Sequence, residues 1–386
     1  MRAMMGAALL ALCSGAATAQ IAVSAGDNKS RLENGVAITV RDPAPDVLTV
    51  LDLGSMPPRV LGEVRVPASV VGPPNSVAIT PDGTRAIVPA NQRVDPANPA
   101  RTINGTTLSV VDLTARPPVV VQSLEDVPAG PAGVSVNRAG THALVAHRGA
   151  GSVSLWRIAG GRLEHAATLE VGNAASLVSS AVFTPDGRHA LVTRYGDSIL
   201  TVIAIEGDTL RRAGRDISAG INPYGLVMAP DGRTAVVANI GRGGGDVDTV
   251  SVIDLTGAVN AWRVVETQSV GQTPEGIAIS ADGRSVAVTV MNGSNKPAGS
   301  PFLGEGQVQL WRLAAPGQSP RLRRIAVAQV GHWSQGAGFS ADGRRLIVQN
   351  MVERDLSLFR IQEGRLVPAG RLPLPASPAA LAVLAR

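Results

Sequence analysis

The chain has 386 residues, 45% apolar and only 3% aromatic, with a formal charge of +5 and one cysteine. Its basic residues are scattered rather than run together, so nucleic-acid or membrane binding is permitted by the balance but nothing argues for it. The one cysteine, Cys13, falls in what reads as a cleavable leader, which excludes disulfides, thiolate catalysis and covalent c-type haem from the mature protein.

Residues 1–19 carry the marks of a secretory leader: Arg2 ahead of an apolar run, Met4 to Leu12, and the small-residue cleavage pattern Ala17-Thr18-Ala19. The apolar run is too short to span a bilayer, and Leu12 ahead of Cys13 argues against a lipidated cysteine. A periplasmic or secreted protein without a membrane span is therefore expected. Residues 20–33 read as an N-terminal extension and residues 34–386 as a single domain.

The stretch from Asn222 to Leu255 sets the pattern for that domain. Gly225 to Ala229 and Thr234 to Ala238 are apolar runs joined by Pro230-Asp231-Gly232, a tight-turn signal. Thr249 to Leu255 alternates apolar and polar residues, and a weaker run, Trp262 to Gln268, follows. One such sheet is too small to be stable alone and must stack on copies of itself. The copies are present. The turn recurs at Asp82, Asp186, Asp231, Asp282 and Asp342, with a degenerate form, Arg138-Ala139-Gly140, between the first two. The steps along this series are 57, 47, 45, 51 and 60 residues, the spacing of propeller blades.

The two ends supply a seventh unit. Asn34-Gly35 followed by VAITV, and then LTVLDL from Leu48, lacks a first strand; Pro378 to Leu384 is a first strand lacking its unit. The fold expected is all-β: a seven-bladed β-propeller, four antiparallel strands per blade, its ring closed by pairing Pro378–Leu384 with Gly35–Val40.

The units beginning SVAITPDGTRAIVPAN at Ser76, GLVMAPDGRTAVVAN at Gly225 and GIAISADGRSVAV at Gly276 resemble the YVTN repeat. The resemblance covers essentially all of residues 34–384. It implies kinship with secreted YVTN-type propellers, among them lactonase-like and YncE-like proteins and propeller subunits of amine dehydrogenases. The motif builds turns and strands, so it speaks for the fold and says little about activity.

In such propellers the fourth-to-first connections and second-to-third loops gather on one face, around the central channel. Reading those positions gives Asn75, Ser179, Tyr224 and Glu275, with His332, Trp333 and Gln335, at first-strand starts. Arg93, His147, Arg148, Arg194, Tyr195, Asn239, Arg242, Asn292, Asn350 and Glu353 fall at second-strand ends. The candidate ligand-binding set is Asn75, Arg148, Arg194, Tyr224, Asn239, Glu275, His332 and Gln335, lining one concave polar mouth.

Arg93, Arg148, Arg194 and Arg242 would make a basic arc suited to a carboxylate or phosphate, or they are simply strand ends in solvent. Glu275 with His332 suits acid–base work on a lactone. Glu275 or Glu353 with Asn239 and Asn292 suits a hard cation such as Ca²⁺; a hydrogen-bonded plug between blades uses the same residues. No motif demands a metal or cofactor, and a monomer is expected. Trp156, Trp311 and Phe359 share one place in the repeat and read as packing residues. The loop from Met291 to Phe302 is a candidate lid. Three functions fit: binding of a small anionic ligand or a protein partner, lactonase-like hydrolysis, and a non-catalytic role beside a periplasmic redox enzyme.

Overall fold

Gly83, Gly140, Gly187, Gly232, Gly283 and Gly343 all take positive φ, between 66 and 74°, and close the six turns between first and second strands. At Thr80–Arg85 the hydrogen bonds show why the turn needs these residues. Gly83 N–H donates to the Thr80 carbonyl (2.7 Å) and Thr80 N–H to the Arg85 carbonyl (2.9 Å). Asp82 Oδ1 accepts from Thr84 N–H at 3.0 Å. The hydroxyl of Thr80 donates to the same carboxylate, and Thr184, Ser280 and Ser340 repeat that contact in later blades.

A computed structural model describes residues 20–315 and 317–384; the expected leader lies outside the described residues. Each of the six turns opens an antiparallel sheet, and these, with a seventh that Ser377–Val383 completes, form a ring. Blades 2 to 7 occupy residues 78–124, 131–170, 178–218, 223–271, 274–329 and 334–373 in chain order. The short strand Ile217–Ser218 also pairs with the third strand of blade 4. Among the described residues the helical segments are three short 3₁₀ turns.

Blade 1 closes the ring, with a correction to the expected pairing. Its strands run, from the channel outwards, Ser377–Val383, Ile21–Asp27, Val47–Asp52 and Arg59–Arg65. The partner of the C-terminal strand is therefore Ile21–Asp27, in register Ala22 to Val383 and Asp27 to Ser377, not Gly35–Val40. Ile21–Asp27 is buried throughout, so residues expected as an extension belong to the ring. Asn34 and Gly35 (φ 43 and 79°) instead turn a separate hairpin, Ser30–Glu33 with Val36–Thr39, inserted between the second and third strands. An Asn-Gly step favours a two-residue hairpin, and Val36 is 60% exposed.

The stability of the ring lies between blades. Separate apolar clusters join blades 1–2, 2–3, 3–4, 4–5, 5–6, 6–7 and 7–1. Val236, Ala238, Val250 and Val252 of blade 5, for example, meet Val286, Val288 and Trp311 of blade 6. Trp156, Trp311 and Phe359 are buried in three of these seams, in keeping with a packing role. Short β-branched and Ala side chains let the sheets approach closely, which explains the low aromatic content.

Candidate functional site

At one end of the channel, Asn75, Ser179, Tyr224, Glu275 and Gln335 take equivalent places on the first strands of five blades. The approach to four of them shares one device. Leu177, Asn222, Thr273 and Trp333, each two residues ahead of a ring residue, adopt φ between 47 and 56°. This left-handed step turns the incoming chain sharply into the channel wall, at a strain of about 1–3 kcal/mol each.

The ring residues are tied to one another. Ser180 Oγ lies 3.1 Å from Asn75 Oδ1 and 2.9 Å from the Tyr224 carbonyl oxygen. Thr289 Oγ1 donates to the Gln335 carbonyl at 2.6 Å. Arg148 reaches in from the end of the second strand of blade 3. Its guanidinium sits 4.6 Å from the Tyr195 ring centroid and 5.5 Å from that of Tyr224, and donates to Ser179 Oγ.

Glu275 is 4% exposed. Burial pushes its carboxyl up to about 8, against the opposing pull of the Gln335 amide, the Trp333 indole and the Arg148 charge. It therefore holds its proton at pH 7. Yet the alignment is poor: Glu275 Oε2, both amide atoms of Gln335 and Trp333 Nε1 are buried close together without a hydrogen bond of good geometry. Burial also raises the Tyr224 hydroxyl, so that group stays neutral.

Segment 69–74 crosses this end as a strap. Tyr224 Oη accepts from the Gly72 N–H at 3.0 Å. The strap's base is fixed by buried charges: Asp27 accepts from Val70 N–H (2.8 Å), Asp46 from Ala68 N–H (3.0 Å) and from Lys29 Nζ (2.6 Å). Above it lies a canopy. The Ser30–Thr39 hairpin reaches the loop that begins at Met291, where Ala298 N–H donates to Asn34 Oδ1 at 3.0 Å. Ser294 Oγ of that loop accepts from Trp333 N–H, also at 3.0 Å, so the candidate lid does lie over this end.

The structure brings together Asn75, Arg148, Tyr224, Glu275 and Gln335, and leaves three expected residues apart. Arg194 is paired with Asp197 (2.5 Å) and Asp216 (3.4 Å). Asn239 is buried and donates to Thr249 and Ser251 of its own blade at 3.0 and 2.9 Å. His332 is turned to Glu353, Nδ1 to Oε1 2.5 Å. Arg93 and Arg242 are exposed, so of the four arginines only Arg148 faces the ring and no basic arc forms.

A hard-cation site is not assembled either. Asn292 Nδ2 donates to the Glu305 carbonyl at 3.1 Å, and among the described residues no three His, Cys, Asp or Glu side chains are grouped to hold a metal. The polar end is closed and not an open concave mouth, because Tyr224, Glu275 and Gln335 are buried beneath the strap. His147 is fully buried, and burial lowers its imidazole to about 4, so it remains neutral between Pro128 and Ser154. Sequence reasoning missed the strap and its Asp27–Lys29–Asp46 anchor; only Gly72-Pro73-Pro74 hinted at a fixed turn there.

Residues 226–357, about a third of the chain, match the choice-of-anchor I domain. The chain matches no curated protein. Among solved structures it is similar to the periplasmic gluconolactonase of Pseudomonas aeruginosa, at 19% identity and TM-score 0.69, covering 95% of this chain and 99% of that one. A functionally unknown protein from Desulfotomaculum acetoxidans gives 15% identity, TM-score 0.67 and coverage of 95% and 99%. Hydrazine synthase of Kuenenia stuttgartiensis gives 18% identity, TM-score 0.61 and coverage of 82% and 91%. At these identities the likeness shows a shared β-propeller fold.

Proposed function

We propose that the protein is a periplasmic or secreted binding module whose sealed polar channel end takes a small carboxylate or similar oxyanion. One observation carries this reading: buried polar groups converge there without well-formed hydrogen bonds. Glu275 Oε2, the Gln335 amide and the Trp333 indole N–H face one another without meeting hydrogen-bond geometry, and Arg148 brings a positive charge. A buried polar group without a partner is disfavoured by about 1–3 kcal/mol, so an anion accepting from all four removes several such penalties together.

The test is calorimetric titration of the mature protein with acetate, succinate, gluconate and phosphate. At least one should bind, and Arg148→Ala should weaken it by about 1–3 kcal/mol, the scale of a charge-assisted hydrogen bond. Arg194→Ala should leave binding unchanged, since Asp197 and Asp216 already neutralise that residue. Binding should fade as pH rises through about 8, where Glu275 ionises and repels an anion. No binding by any of the four, or equal binding by the Arg148 variant, would sink the proposal. A lactonase-like hydrolase is less well supported, because His332, the expected partner of Glu275 in acid–base work, is engaged by Glu353.

A docking role beside a periplasmic redox enzyme is the second reading, favoured by the canopy. Val36, Val247, Phe302 and Leu303 are 60, 62, 46 and 49% exposed on neighbouring loops, and exposed apolar groups in one area mark contact surfaces. Phe302→Asp should then abolish capture of the partner and leave anion binding intact.

A further inference from the structure

The channel's other end, on the side of the Asp-Gly turns, is open and apolar. Two adjoining cavities of about 310 and 410 Å³ lie there, sharing Ile79, Ala281, Val383 and Leu384 in their walls. Together they form a funnel between the first strands, walled by Val136, Phe183, Met228 and Phe339 among others. Asn75 lines its inner end. From the level of Asn75, matched in blade 6 by Glu275, to Ala281 the strand advances six residues, so the funnel is roughly 20 Å deep. A volume of this size suits a small-molecule site, and apolar walls hold water poorly.

The rim shows which kind of molecule fits. Five of the six turns around it carry an aspartate. The turn of blade 3 departs from the series, with Arg138 where three of the others have proline and Ala139 where all five have aspartate. That turn therefore lacks the acid, and its cation stands ahead of the glycine, at Arg138, where other turns have Arg188, Arg233, Arg284 and Arg344 after it; Arg138 lines the outer cavity. Arg138 is exposed, and among the described residues no carboxylate pairs with it. A deep, mainly apolar wall with the Arg138 guanidinium in its lining is complementary to a single-chain amphiphile bearing an anionic head.

We propose that the turn-side funnel is a second binding site, taking the alkyl chain of a fatty-acid-like carboxylate with its head at Arg138. The site meets the polar end at Asn75 but has neither Arg148 nor Glu275 in its walls. Its probe is dodecanoate below its micelle concentration, titrated calorimetrically into the mature protein, with butyrate and dodecyltrimethylammonium as comparisons. Dodecanoate should bind one to one. Across a series of shorter acids affinity should rise about fourfold per methylene, the fold-change that 0.8 kcal/mol per buried CH₂ gives.

Arg138→Glu should weaken dodecanoate at least tenfold and leave dodecyltrimethylammonium unweakened. Ala281→Trp, which fills the funnel from a turn position, should remove both. Arg148→Ala should change neither, which separates this site from the polar end. The proposal fails if dodecanoate does not bind, if butyrate binds equally well, or if neither Arg138→Glu nor Ala281→Trp has an effect.

Discussion

Replacing Glu275 by Gln preserves size and removes the ionisable proton, so it isolates the contribution of one buried carboxyl. That carboxyl titrates at about 8 in the folded protein against an ordinary value of 4.5. Because the folded value is the higher, the folded state holds a proton that the unfolded chain releases. The stability linked to it is complete below pH 4.5, declines from there to about pH 8, and is flat above. At about 1.4 kcal/mol per pH unit, the loss is on the order of 3 kcal/mol at pH 7 and 5 kcal/mol above pH 8. The Glu275→Gln protein escapes it. With an unfolding entropy of roughly 2.1 cal/mol/K per residue, 5 kcal/mol corresponds to roughly 6 °C for a chain of this size. Calorimetric melting of both proteins from pH 4 to 9 should show curves that coincide at the acid end and diverge in favour of the variant. Parallel curves would refute the reasoning, because they would mean that Glu275 is solvated in the folded state.

Gly232→Ala should lower stability by about 1 kcal/mol or more in chemical denaturation, since φ is 70° there and an added Cβ lies 3.3 Å from Pro185 Cδ; Asp231→Ala should be milder, and the reverse order would contradict the turn assignment. A chain ending at Pro375 should lose its cooperative melting transition, because Ile21–Asp27 and the first strands beside it are left without Ser377–Val383. Tyr224→Phe should speed both entry and exit of the anion in stopped-flow measurements by freeing the Gly72 N–H; unchanged rates would mean that the strap does not control access.

The repeat was legible because its turns use residues with one job each: Gly for positive φ, Asp for local hydrogen bonds, alternating apolar residues for the blade seams. The ring residues Asn75, Tyr224, Glu275 and Gln335 were legible too, since counting back from each turn places them at one level. What they do there was hidden. Leu177, Thr273 and Trp333 are not residue types that announce left-handed backbone, so nothing foretold how sharply the wall residues turn inwards. Arg194 looked equivalent to Arg148, but it lies one place earlier in the repeat, and its side chain finds Asp197 and Asp216 of its own blade. The closing strand was misplaced because VAIT after Asn34-Gly35 is the better strand by composition. Ile21–Asp27 is instead selected by what it lies between, Ser377–Val383 and Val47–Asp52, and such long-range pairing leaves no local mark.

That pairing also governs when the molecule can be finished. Ile21–Asp27 is synthesised near the start of the chain and Ser377–Val383 almost the whole chain later. Until the late strand arrives, six blades can form and stack while the first remains an incomplete sheet with a bare inner edge. A polypeptide exported in order of synthesis would therefore cross a membrane before its ring could lock, which is compatible with transport in an unfolded state. The same delay leaves an interval in which the matching strand of a second chain fits the gap equally well. Strand exchange between copies is thus the characteristic error of this topology, favoured by high concentration during refolding and suppressed once each chain has supplied its own last strand.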